Sequence, residues 1–244
     1  MGENQVKEII NAANFSVFFI DESQRVTLKD IGSIDLITQY AQQLGADIHY
    51  SKLESQFRRN GSDGYLAWLD RLLEIRETAN YDLELDYDFQ VLDDPNDLVD
   101  AIIEKNKKNN KSRVVAGYCY DWISEGKNEP DTYDINLDEY DFHMSWNPGN
   151  TNTWAIDEES VKQIGYIHTC QGLEFDYVGV IIGKDLRYED GHIITDYTKR
   201  ASTNQSLKGI KSLAKKDPEK AEQIADEIIK NTYRTLMTRG MRGC

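Results

Sequence analysis

The stretch QIGYIHTCQGLEFDYVGVII, Gln163–Ile182, decides the fold. Its two ends are apolar and rich in β-formers. They read as strands buried on both faces, the kind found in parallel sheets. Between them lie His168, Thr169, Gln171, Gly172 and Glu174. A polar cluster between two buried strands points to ligand contact. Gly172 allows close backbone approach, and Glu174 can accept hydrogen bonds from a ribose hydroxyl. His168, Thr169 and Gln171 can reach a sugar-phosphate.

The same alternation of strand and helix extends outward. FSVFFI, Phe15–Ile20, predicts a buried strand. Ile31, Ile34, Ile37 and Ala41 predict a helix face, and residues 47–53 predict a strand. A helix carries Tyr65, Leu66, Leu69 and Leu73, capped from Ser62 or Asp63. Phe89–Leu92 predicts a short strand. Asp94-Pro95 opens a helix with Pro in the first turn. Arg113–Tyr118 predicts another strand. Residues 121–155 read as an irregular insert, and His192–Thr195 as one arm of a β-ribbon. Asp217-Pro218 begins a helix with an apolar stripe through Ala221, Ala225, Ile228, Ile229 and Leu236, stopping at Gly240. The class is α/β with a largely parallel sheet. A boundary in the region 76–112 would split the chain into two unequal parts.

Composition narrows the function. With 28 basic and 43 acidic residues the net charge is −15, unfavourable for general binding to a phosphate backbone. The last fifteen residues carry Lys230, Arg234, Arg239 and Arg242 and no acid. The three cysteines and four histidines show no zinc-ligand spacing and fit a reducing cytoplasm. No run of about 18 apolar residues predicts a membrane span.

Four stretches carry chemistry. FFIDESQ delivers Asp21 and Glu22 at the end of a predicted strand. There Asp21 can hold Mg²⁺ and Glu22 can polarise a water. LESQFR places Arg58 where it can reach a γ-phosphate, although a surface turn explains it as well. IHTCQGLEF is the opening cluster. YRTLMTRG holds Arg234 and Arg239 near a helix end, where the helix dipole alone also favours cations.

Taken in order, these stretches resemble motifs II, IV, V and VI of superfamily 1 helicases. More closely, DESQR, SQFRRNGSDGYLAWLD, IHTCQGLEFDYVGVIIG and NTYRTLMTRGMRGC resemble the bacterial Schlafen group 3-like DNA/RNA helicase family, from about Phe15 to Cys244. The resemblance implies a RecA-like sheet: a partial first lobe in 1–80 and most of a second lobe in 81–244, with ATP and Mg²⁺ between them. It implies that Asp21 binds the metal and Glu22 the attacking water, with Gln24 beside the nucleotide. Arg58 and Arg239 would sense the γ-phosphate, with Arg234 assisting. Gly172 and Glu174 would face the nucleotide, and His168, Thr169 and Gln171 single-stranded DNA or RNA. Gln171 stands where the usual motif has lysine. No G-x-x-x-x-G-K-[ST] occurs, and only twenty residues precede Asp21, so the sequence reads as the C-terminal portion of a helicase or translocase. A P-loop segment upstream and a closing strand beyond Cys244 are expected. Two other readings stay open: a non-enzymatic scaffold derived from a helicase, and a P-loop ATPase that does not act on nucleic acid.

Overall fold

The structure, a computed structural model, describes residues 4–30, 32–51, 63–79, 87–123, 132–147 and 153–244. Helices are α1 (Gln5–Ala12), α2 (Ile34–Gln43), α3 (Asp63–Leu72), α4 (Pro95–Asn106), α5 (Ile167–Cys170), α6 (Ile210–Ala214) and α7 (Pro218–Met237). Strands are β1 (Ser112–Ala116), β2 (Ile135–Leu137), β3 (Phe142–Trp146), β4 (Gln163–Gly165), β5 (Phe175–Ile181), β6 (Leu186–Glu189), β7 (His192–Thr195) and β8 (Gly240–Gly243). Six strands form one sheet in the order β2-β3-β4-β1-β5-β8. All neighbours are parallel except β2 and β3.

Strand β1 shows why the sheet is covered on both faces. Its five residues are all buried. Val114 and Ala116 pack with Ile102, Ile135, Phe142, Trp146, Ile164 and Ile181. Val115 points the other way, into Tyr65, Leu69, Val178, Ile229, Tyr233 and Leu236. The period of two thus sends α4 to one face and α3 and α7 to the other. Helix α3, in the first part of the chain, buries Tyr65 and Leu69 in that same second cluster, and Leu73 just after it joins them.

Caps behave as the sequence dictates. Asp94 accepts the Asn96 N–H at 2.8 Å and Asp217 accepts the Lys220 N–H at 3.1 Å, each followed by Pro. β6 and β7 form the ribbon, turning through Asp190 and Gly191, both at positive φ.

Several expectations are corrected. Phe15–Ile20 is not a strand. No described strand lies beside it to complete a ladder, and Phe15, Val17 and Phe19 are exposed at 83%, 60% and 86%. Residues 47–51 form no strand either, and 52–53 lie outside the described residues. Phe89–Leu92 is not a strand. Its neighbour Asp88 bridges Gly243, but β8 offers only four residues to pair with. The span 121–155 is not simply irregular, because β2 and β3 within it extend the sheet edge. Gly240 does not merely stop α7: it opens β8, which pairs with β5.

Candidate functional site

The D-E-S-Q turn docks on α7. Glu22–Gln24 is a single 3-10 turn capped by Asp21, which accepts the Ser23 N–H at 3.1 Å and the Gln24 Nε2 at 2.7 Å. The Arg234 guanidinium donates to Ser23 Oγ at 3.0 Å and forms an ion pair with Asp70. Asn231 donates to the Arg25 carbonyl at 3.1 Å, one helical turn away. Partial burial pushes the Asp21 carboxyl up. Hydrogen bonds from Ser23 and Gln24 and the Arg234 charge outweigh that, so it settles below the usual carboxylate range. Asp21, Gln24 and Arg234 are therefore brought together.

Glu22 is engaged differently. Its Oε1 accepts the Ile34 N–H at 3.0 Å, at the start of α2. The contact leaves Oε2 of this exposed side chain able to accept from a water. Arg58 lies outside the described residues.

The IHTCQGLEF stretch is split along the sheet. Ile167–Cys170 forms one helical turn after the carboxyl end of β4, with Ile167 and Cys170 buried. His168 is exposed, and Thr169 Oγ1 donates to Asn147 at 3.1 Å, just past β3. Gly172, at φ +86°, turns the chain back, a conformation that favours glycine. Gln171, Gly172 and Glu174 are exposed. Glu174 arrives at the opposite end of the sheet, where β5 begins.

Arg239 meets the stretch there. Its Nε donates to the Thr235 carbonyl at 3.0 Å and Nη1 reaches the Leu173 carbonyl at 3.4 Å. Its own carbonyl accepts the Phe175 N–H at 2.9 Å. At 3% exposure it is a buried cation that ties the end of α7 to the start of β5. Arg234 is thus the arginine placed beside the D-E-S-Q turn.

Asp70 was missed by sequence reasoning. It is 2% exposed and holds both Arg234 and, at 2.7 Å, Arg76. The available signal was an acid adjoining the apolar stripe Leu66, Leu69 and Leu73. Such a charge stays buried only when paired.

A largely parallel sheet covered by helices on both faces, with an acidic turn docked against the last helix, is an α/β fold of the RecA-like class. Residues 1–244 match the model of the family described as Schlafen group 3, DNA/RNA helicase domain, and the chain belongs to that family. A Saccharomyces cerevisiae protein described as "Uncharacterized protein YPL245W" is 25% identical over 266 residues, covering 99% of this chain and 56% of that one. The chain therefore spans little more than half the length of this relative. No solved structure matches it. Among the described residues no helix is long and apolar enough to cross a membrane.

Proposed function

We propose that the chain carries the magnesium-nucleotide and nucleic-acid elements of an ATP-driven DNA or RNA helicase or translocase. The observation that carries this reading is the docking of the D-E-S-Q turn on Arg234. An ionised carboxylate, a hydroxyl and a cation converge there from segments more than 200 residues apart. The donor set suits Mg²⁺, which takes one or two carboxylates and completes its shell with water and phosphate oxygens. Nucleotide and water would supply the rest of the shell. Asp21 would hold the ion and Gln24 would position Asp21. Glu22 would orient the water, and Arg234 and Arg58 would offset phosphate charge. Gly172 and Glu174 would face the nucleotide sugar. His168, Thr169 and Gln171 would lie along a single strand.

The test is titration of a fluorescent ATP analogue into the product of the complete reading frame, with and without Mg²⁺. Mg²⁺ is expected to tighten binding, and Asp21→Asn to remove most of that gain while Mg²⁺-free binding persists. An Asp21→Asn variant with unchanged Mg²⁺ dependence would remove Asp21 from the site.

A further inference from the structure

One basic stretch interrupts this acidic chain, between the β6–β7 ribbon and α7. From Tyr197 to Lys216 the sequence holds five lysines, one arginine and no acid, in a chain of net charge −15. Arg200 is buried against Asp185. Lys199 is offset by Asp196 nearby. The other four, Lys208, Lys211, Lys215 and Lys216, are exposed and form no ion pair among the described residues. Elsewhere Lys105, Lys107, Lys162 and Lys230 each hold a carboxylate, at 2.8, 2.5, 2.6 and 3.1 Å.

The stretch is anchored on its inner side. Leu207 and Ile210 are buried with Ala221, Ala225 and Ile228 of α7, and Leu213 and Ala214 pack against them. Leu28 N donates to the Ser206 carbonyl at 2.6 Å, and Ala201 N to the Tyr118 carbonyl at 3.1 Å. Those bonds fix the stretch to the chain just after the D-E-S-Q turn and to the loop after β1. With Ile210, Leu213 and Ala214 held against α7, Lys211 and Lys215 fall on the outer side of α6. They stand one helical turn apart, a like-charge pair that weakens a helix of five residues. Two acids of α7 beside this contact are engaged elsewhere, Asp226 with Lys230 and Glu227 with Arg25.

We propose that Lys208, Lys211, Lys215 and Lys216 form a contact site for the phosphate backbone of nucleic acid, separate from His168, Thr169 and Gln171. The proposal rests on the nucleic-acid reading above and names a second place where the nucleic acid is held. Charge argues for this occupant. A run of unpaired ammonium groups gains most from a polyanion, because each phosphate neutralised releases condensed counterions. Spacing agrees. Lys211 and Lys215 are about 6 Å apart along the helix. Phosphates of one strand follow every ~3.4 Å of duplex axis, so two flexible lysines reach neighbouring phosphates. Exposed Ser212, next to Lys211, adds a hydroxyl donor of the kind that phosphate contacts use. Lysine is a compact point charge, suited to holding a backbone without reading bases. The plain alternative is a solvated face that takes no ligand.

The experiment measures anisotropy of fluorescein-labelled duplex DNA, oligo(dT) and oligo(U) over a salt series, with the product of the complete reading frame, and Tm on the same preparations. The double variant Lys211→Gln with Lys215→Gln is expected to weaken binding about tenfold at about 0.1 M salt. The plot of log affinity against log salt is expected to flatten by about two, one for each lysine removed. Tm is expected to hold or rise, because a like-charge pair is gone. Lys211→Arg with Lys215→Arg keeps both charges and is expected to bind like wild type. Lys107→Gln with Lys162→Gln removes the same charge from paired lysines and is expected to leave affinity and slope near wild type. A loss on the duplex alone, or on the single strands alone, supports the site and says which backbone it holds. An equal loss in the Lys107 and Lys162 control would assign the effect to net charge and overturn the site. So would wild-type affinity and slope in the Lys211 and Lys215 glutamine variant, which leaves the nucleic-acid reading standing. A wild-type protein that binds none of the three would overturn both.

Discussion

Arg200→Met is expected to destabilise the folded chain by about 3–5 kcal/mol, read from urea unfolding, because it strands a buried carboxylate. Asp185 is fully buried and Arg200 nearly so, with Arg200 Nε 2.7 Å from Asp185 Oδ2. Tyr233 donates to the other carboxylate oxygen at 2.5 Å, and its own oxygen accepts the Gly183 N–H at 2.8 Å. The network fastens the loop after β5 to the middle of α7. Desolvation, with Asp185 nearby, pushes the Tyr233 hydroxyl well above the usual range, and burial pushes the neighbouring Cys119 thiol up to about 12. Both stay protonated and neutral, so neither adds a negative charge to the one that Arg200 pairs with at Asp185. Adding Asp185→Asn to Arg200→Met removes the stranded charge and is expected to recover part of the loss. A double variant as unstable as the sum of the two single variants would show that the charges do not act as a pair.

The second large effect falls on turnover. Arg234→Ala, in the product of the complete reading frame, is expected to lower kcat by about 10³-fold, as removing a cation from a transferring phosphate does. Stability falls as well, because Asp70, 4% exposed at its side chain, then keeps Arg76 as its one cation among the described residues. Arg234→Lys separates the two roles. A lysine ammonium can still pair with Asp70, so Tm should largely recover. It cannot serve Asp70 and Ser23 together in a planar fork, so turnover should stay at least about tenfold low. Recovery of both Tm and kcat in Arg234→Lys would make Arg234 a structural ion-pair partner and nothing more.

Legibility in the sequence followed the range of the forces involved. Strands β4 and β5, the capped helices α4 and α7, and the β6–β7 ribbon are written in local pattern, and they form within a few residues of expectation. Phe15–Ile20 has an equally clear apolar pattern and forms no strand, because a strand depends on a neighbour that periodicity does not supply. β2 and β3 are short and sit in a polar region, so local composition hid them. In the candidate site, the residue types Asp21, Gln24 and Arg234 were readable, and their meeting depends on the docking of the turn on α7. Asp70, which completes the cluster, carries only the weak mark of an acid beside Leu69. Arg239 was expected to face phosphate and is found tied to the carbonyls of Thr235 and Leu173.

The most direct measurement is phosphate release from MgATP by the product of the complete reading frame, with and without single-stranded DNA or RNA. Release is expected to rise when nucleic acid is added and to fall by orders of magnitude in Glu22→Gln. Release indifferent to nucleic acid would contradict the helicase reading in favour of an ATPase with another partner. No release in either condition, or release unchanged in Glu22→Gln, would contradict the site itself.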